Sequence, residues 1–154
     1  MTSSAVELWD EIAEAAVDES SLWADALLPS VQRELRAVFS ELCDPEFALG
    51  LETIYEGYLC HYGTPRLFAP RDDETRLLLG DYLYAHGLVR IADTGSVRAV
   101  QELAELISLC ARLRAEREEG DGEAWLMTAT SLGSMRDDAT IERALAAHAA
   151  RTGS

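Results

Sequence analysis

The chain has 154 residues, of which 48% are hydrophobic and 27% charged. That length and balance are typical of one ordinary globular domain and exclude a disordered chain. Thirteen arginines and no lysine stand against 28 Asp and Glu, for a net charge of -15. The electrostatic field of so acidic a chain repels nucleic acid and anionic lipid surfaces, so we expect neither as a partner. The absence of lysine excludes pyridoxal Schiff bases and P-loop phosphate sites, which both need an amine.

The cysteines favour a reducing environment. Cys43, Cys60 and Cys110 are odd in number, widely spaced and set among apolar residues, and none forms a C-x-x-C pair. Buried free thiols in the cytoplasm are the expected state. No apolar run approaches the roughly 18 residues that span a bilayer, and no signal peptide pattern opens the chain. We therefore expect a soluble, unexported protein.

Apolar residues recur every three or four positions along almost the whole chain, which predicts an all-α, single-domain bundle of about seven helices. The first predicted helix begins after Ser3 or Ser4 and runs to Val17. A break follows near residues 18–21. Next come predicted helices over 29–43 and 46–62.

The second half of the chain has clearer boundary signals. Asp72 or Asp73 is a candidate N-cap for a long helix reaching Ala92, and Ser96 is one for the following helix. Residues 114–121 are interpreted as a solvated charged run, and two shorter helices are predicted over 123–132 and 137–150. Residues 1–45 are expected to be N-terminal helices packed on a bundle of residues 46–150, as one domain overall.

The segment Leu78-Leu79-Gly80-Asp81-Tyr82-Leu83-Tyr84-Ala85 resembles the L-x-G-D-Y-L-x-A helix of the trans-isoprenyl diphosphate synthases, the polyprenyl synthetase family. Gly63-Thr64-Pro65 matches that family's G-x-P at the corresponding spacing. Looser similarity extends over residues 47–150. The resemblance implies an isoprenoid-synthase-like fold. The first 45 residues add little to the resemblance.

The family's chemistry is missing from this sequence. Its two D-D-x-x-D motifs hold magnesium and a diphosphate, because carboxylates at i and i+4 share one helix face. Here the helix that corresponds to the first motif passes from Tyr62 directly to Gly63, and the chain ends at Ser154, before a second motif. Asp72-Asp73 is followed by Arg76, and Asp137-Asp138 by Ile141. Both pairs are interpreted as helix caps, and we expect no catalytic residues, no metal and no cofactor.

Two candidate ligand surfaces remain. Arg66, Arg71 and Arg76 cluster in an acidic chain, and guanidinium groups bind diphosphates bidentately. The alternative is charge balance against the acidic residues at 72–74. A second set could line an apolar cleft for an isoprenoid, and its members are Leu59, Tyr62, Leu79 and Leu83.

Three other patterns are better explained without a metal or catalytic site. Asp10, Glu11 and Glu14 have a metal-like spacing, but a solvated acidic helix face explains them better. None of the three histidines has a Glu three residues earlier, which argues against a di-iron bundle. Cys60 and His61 are helix neighbours that point about 100° apart and therefore do not form a nucleophile and base.

The leading hypothesis is a non-catalytic binding or regulatory subunit that forms homo-oligomers or a heteromer with an active prenyl diphosphate synthase. Loss of helices from a larger parent fold exposes apolar surface, which usually marks an interface. The alternatives are a helical interaction module unrelated to isoprenoids and, less favoured, a stand-alone magnesium-dependent enzyme acting on prenyl diphosphates through residues such as Asp10 and Glu14.

Overall fold

The computed structural model describes residues 2–134 and 137–153, with side chains described from residue 7 onward. Over these residues the chain contains seven α-helices and no β-strand. The helices are α1 (Thr2–Glu19), α2 (Ser21–Ala26), α3 (Ala48–Tyr62), α4 (Asp73–Ala92), α5 (Val97–Ala115), α6 (Asp121–Ser131) and α7 (Asp138–Thr152). None of the helices in this part of the chain is apolar over a bilayer-spanning length.

The all-α prediction is confirmed, and so are two of the predicted caps. The Asp72 carboxylate accepts a hydrogen bond from the Thr75 backbone N–H at 2.7 Å, which begins α4. The Ser96 hydroxyl accepts one from Ala99 N–H at 3.1 Å, which begins α5. Each cap satisfies a backbone donor that has no partner within its own helix. The first helix starts earlier than expected, at Thr2, so residues 3 and 4 lie inside it.

The predicted helix over residues 29–43 is wrong. Two short 3-10 turns, Ser30–Gln32 and Ser40–Leu42, flank an irregular stretch. Part of the backbone here bonds to the loop after α3: Glu34 N–H donates to Arg66 O at 3.1 Å, and Leu28 N–H, just before this stretch, donates to Leu67 O at 2.8 Å. Those long-range bonds replace the helical ladder, and Val31 is left 93% exposed.

Helices α3 and α4 form an antiparallel pair held close by two glycine pairs. A Cβ on Gly57 would lie 2.8 Å from the Gly80 carbonyl oxygen, and a Cβ on Gly80 would lie 3.1 Å from that of Gly57. Gly50 and Gly87 repeat the arrangement seven residues away, at 3.2 and 3.1 Å. Only glycine lets the two backbones approach this closely.

Helix α3 is the centre of the molecule, because every residue from Gly50 to Cys60 is buried. One apolar cluster packs α5, α6 and α7 against one side of α3. A second cluster joins α1, α2 and the loop at Leu67 and Phe68 to α4 and Cys60. The helix therefore has no solvated face along this stretch, and any polar side chain on it must find a partner inside the protein.

Candidate functional site

Helix α3 carries two buried carboxylates. Glu52 and Glu56 are 1% and 0% exposed. Their i, i+4 spacing places them on one face of the helix. This face meets the loop that follows α3, and there the loop supplies the counter-charge.

Arg66, in that loop, is fully buried between the two carboxylates. Its Nη1 donates to Glu52 Oε1 at 2.7 Å and its Nε donates to Glu56 Oε1 at 3.0 Å. The guanidinium also stacks on the Trp9 ring, 4.5 Å from its centroid. We call Glu52, Glu56 and Arg66 the internal ion triad.

The remaining carboxylate oxygens of the triad are also occupied. Glu52 Oε2 accepts the Ser40 hydroxyl at 2.6 Å. Glu56 Oε2 accepts the backbone N–H groups of Arg66 and Leu67 at 2.9 and 2.8 Å. Burial disfavours the charged guanidinium, but the carboxylates of Glu52 and Glu56 outweigh it and raise the pKa of Arg66. The triad is thus a closed charge cluster whose four carboxylate oxygens all have protein partners.

A second polar centre joins α3, α5 and α6. Arg114 Nε donates to Asp121 Oδ2 at 2.7 Å, and Arg114 Nη2 donates to the Tyr58 hydroxyl at 3.0 Å. The Tyr58 hydroxyl in turn donates to Asp121 Oδ2. The predicted solvated run over residues 114–121 is confirmed for residues 115–120, which are exposed, and is wrong for Asp121. Asp121 is 6% exposed and the Arg114 side chain 33%.

The α3 residue Tyr55 bonds to His148 on α7. The Tyr55 hydroxyl lies 2.8 Å from His148 Nδ1. Burial raises the pKa of Tyr55, so its hydroxyl stays protonated, and burial lowers the pKa of His148, so its imidazole stays neutral. The bond has two forms: Tyr55 O–H donates to Nδ1 and the imidazole proton lies on Nε2, or Nδ1–H donates to the Tyr55 oxygen and Nε2 is an acceptor. In the first form His148 has a donor at Nε2.

A pocket of about 610 Å³ lies beside the polar centre that contains Asp121 and Arg114. The α5–α6 loop, the start of α6 and the end of α7 meet there. His148 and Asp121 are among its lining residues. His148 is 4% exposed, and neither its Nε2 nor Asp121 Oδ1 has a hydrogen-bond partner among the described residues. Buried polar atoms almost always have partners, so two unpartnered atoms on residues that line one pocket point to it as a ligand position. We call it the α6 pocket.

The three arginines proposed as an anion patch are not brought together. Arg66 is inside the protein, in the internal ion triad. Arg76 Nη1 donates to the carbonyl oxygens of Cys60 and His61 at 2.5 and 3.1 Å, where it caps the end of α3. Arg71 is exposed and borders a shallow depression beside Leu22.

The residues proposed for an apolar cleft divide between the two cores. Leu59 belongs to the cluster around α5 to α7, and Tyr62 packs against the same cluster. Leu79 and Leu83 belong to the cluster formed with α1 and α2. The three leucines are at most 1% exposed. A cleft at this position stays a prediction.

The acidic face of α1 borders a separate depression. Asp10 and Glu14 line it together with Arg33. In the described part of the chain no group of three or more His, Cys, Asp and Glu side chains is arranged to hold a metal ion.

The internal ion triad and the α6 pocket were both missed from the sequence, although each left a signal. Glu52 and Glu56 are the charged residues of an otherwise apolar helix, which requires an internal partner. His148 follows Ala144 by four residues, so it lies on the apolar stripe of α7. Nothing local indicated that Arg66 or Asp121 would supply the partners, because Arg66 lies beyond the end of α3 and Asp121 meets Tyr58 across 63 residues of chain.

Comparison with family models, curated proteins and solved structures found no match to this chain.

Proposed function

We propose that this chain is a non-catalytic protein with an isoprenoid-synthase-like fold that acts as a binding or regulatory subunit and associates with a second copy of itself. The observation that carries the proposal is the internal ion triad. The i, i+4 carboxylates of α3, Glu52 and Glu56, are neutralised by Arg66 from the same chain.

Magnesium in a diphosphate site is held through carboxylate oxygens that also leave room for water and phosphate. All four oxygens of Glu52 and Glu56 already accept hydrogen bonds inside the protein. Breaking these bonds to admit a metal would leave the Arg66 guanidinium buried and unpaired, at a cost of about 3–5 kcal/mol. This cost argues against a Mg²⁺-dependent prenyl transfer at α3.

The outer face of α5 supports self-association. A groove runs along it over Ala104, Ser108 and Leu109. Glu105 and Arg112 lie two turns apart on the same groove. If a second copy packs antiparallel about an axis between Ser108 and Leu109, Glu105 of each copy lies opposite Arg112 of the other. Opposite charges in that register favour this pairing and disfavour the parallel one.

In this proposal an active prenyl diphosphate synthase can bind the outer face of α5 in place of the second copy, which gives a heteromer. We place the protein in the cytoplasm, because Cys43, Cys60 and Cys110 are free and buried. An isoprenoid ligand near Leu59 and Leu79 belongs to the same proposal.

The test is light scattering of the purified chain, alone and mixed with a full-length prenyl diphosphate synthase. We expect a homodimer that Glu105→Arg converts to monomer, because like charges then face each other. The double variant Glu105→Arg/Arg112→Glu restores the dimer. Glu142→Arg, an equal charge change on the exposed face of α7, is the matched control. A wild-type monomer that also ignores the synthase would overturn the proposal and favour a helical interaction module of another kind.

A second assay tests the non-catalytic part. The purified chain is incubated with Mg²⁺, an allylic prenyl diphosphate and isopentenyl diphosphate, and products are measured by chromatography. We expect no elongated product and no released diphosphate above the level without protein. Turnover that the Asp10→Asn/Glu14→Gln variant abolishes would instead establish a stand-alone enzyme.

A further inference from the structure

The α6 pocket offers one unpartnered acceptor and one unpartnered donor. The acceptor is Asp121 Oδ1, since Oδ2 of the same carboxylate is used by Arg114 and Tyr58. His148 Nε2 is the donor in the tautomer in which Nδ1 accepts from Tyr55, and the proposal uses this tautomer. A ligand that satisfies both must present a donor and an acceptor close together.

The charge of the lining selects the kind of donor. Two guanidinium groups, Arg114 and Arg117, stand against the four carboxylates of Asp121 and of Glu118, Glu119 and Glu123. The difference is a net charge of -2, and Arg114 is already bonded to Asp121. A positively charged donor is therefore favoured over a neutral one, and an anion is disfavoured.

The walls favour an alkyl group. Leu145 and Ala149 of α7 line the pocket together with Gly120, the N-cap of α6, and Gly122 in the first turn of that helix. A Cβ on Gly122 would lie 3.2 Å from Cδ2 of His148, so glycine lets the first turn of α6 pack directly on the edge of the imidazole. The pocket volume of about 610 Å³ is in the range of small-molecule sites.

We propose that the α6 pocket binds a small primary ammonium compound that carries a hydrogen-bond acceptor beside its amine and an alkyl side chain. The ammonium donates to Asp121 Oδ1, and the acceptor receives the Nε2–H of His148. Amino alcohols and amino acids share this chemistry. The negative lining favours the amino alcohol, which has no carboxylate.

The probes are leucinol, leucine, isoamylamine, which lacks the hydroxyl group, and 4-methylpentan-1-ol, which lacks the amine. Binding is followed by NMR of the His148 ring protons at fixed ionic strength, with the Kd taken from the titration. We expect leucinol to bind most tightly. The two compounds that lack one group bind at least tenfold more weakly, because each leaves one buried protein atom unpaired. Leucine binding as tightly as leucinol would assign the amino acid instead.

Three variants test the location. Asp121→Asn removes the charge that the ammonium requires, and we expect at least a tenfold loss of leucinol affinity. Ala149→Leu fills the pocket without touching the Asp121, Arg114 and Tyr58 contacts, and we expect the same loss. Ala150→Leu, one residue further along α7 on its exposed face, is the matched control and keeps the wild-type Kd.

The Arg117→Asn variant distinguishes attraction of the ammonium to the pocket lining from its attraction to the net negative charge of the whole protein. Removing this cation from the lining strengthens leucinol binding. Glu46→Gln, an equal charge change at an exposed residue that does not line the pocket, has no effect. The proposal is overturned if no probe shifts the His148 resonances, or if Ala149→Leu and Ala150→Leu bind leucinol alike. A protein unfolded by Asp121→Asn still leaves the Ala149 and Ala150 comparison decisive.

Discussion

The carbonyl oxygen of Gly80 in α4 lies 2.8 Å from the position that a Cβ on Gly57 in α3 would take. The two helices are in backbone contact at this point, and the contact recurs one heptad away at Gly50 and Gly87. The loop that carries Arg66 joins these two helices, and Glu52 and Glu56 lie on α3 between the two glycine contacts.

Gly57→Ala should destabilise the protein by about 2 kcal/mol, because the added methyl group meets a backbone carbonyl that cannot move without shifting α4. The loss outweighs the roughly 1 kcal/mol that alanine gains over glycine in a helix. Urea unfolding measures the difference. Gly50→Ala, on the same helix, should also destabilise, because its Cβ would lie 2.4 Å from Cδ1 and 2.6 Å from Cγ1 of the buried Ile91. Either variant as stable as the wild type would contradict this account of the helix contact.

Arg66→Met should destabilise the protein by about 3–5 kcal/mol, since it leaves the carboxylates of Glu52 and Glu56 buried without a counter-charge. The triple variant Glu52→Gln/Glu56→Gln/Arg66→Met removes all three charges and should recover part of the loss. Chemical denaturation of both variants checks the order. A triple variant less stable than Arg66→Met alone would contradict this account. Arg71→Met, at an exposed position outside the triad, should change stability by less than about 0.5 kcal/mol.

His148 should make the free energy of unfolding depend on pH. Burial lowers the pKa of His148 in the folded protein, so the unfolded state binds more protons near neutral pH. Stability therefore falls as the pH decreases through about 6.5, by at most about 1.4 kcal/mol per pH unit for this group. Asp121 and Arg114 are the charged groups that act on the imidazole. Urea unfolding between pH 5 and 8 measures the slope.

Other groups also titrate in that range, including His86, whose pKa burial lowers as well. The comparison is therefore between the wild type and His148→Gln, which lacks the titration but keeps a polar side chain. We expect a smaller loss on acidification in the variant. Parallel pH profiles would assign the dependence to other groups.

Arg117→Gly should stabilise the protein by about 1 kcal/mol. Arg117 has a φ of 57°, a left-handed conformation that favours glycine. It follows the end of α5, where Glu118 N–H bonds to Leu113 O at 2.8 Å in the manner of a Schellman cap. Arg112→Gly, inside the same helix, should instead destabilise by about 1 kcal/mol. Thermal unfolding of both variants distinguishes conformational strain from loss of charge, because both remove one arginine.

The three thiols should react slowly in the folded protein. Burial raises the pKa of Cys43 and of Cys110 to about 12, and raises that of Cys60 as well. Because the thiolate is the reactive form, alkylation at pH 8 should require opening of the core. Iodoacetamide labelling followed by mass spectrometry measures the rate with and without urea. Fast labelling of Cys60 in native buffer would mean that the α3 core opens readily.

The sequence by itself determined the helical class of the protein and the boundaries of α4 and α5. These follow from apolar spacing and from local caps such as Asp72 and Ser96, which act within four residues of chain. The sequence did not determine that residues 29–43 form two short turns, because their backbone partners lie in the loop around Arg66.

Only the tertiary structure decided which charged residues are internal. Glu52 pairs with Arg66 because the loop after α3 folds back on that helix. Asp121 and His148 line one pocket only because α6 and α7 fold back on α3. In the sequence, a charged residue at a helical position has the same spacing from its neighbours whether its side chain is solvated or buried. The difference depends on partners brought from distant segments, and this packing information is not carried by local spacing.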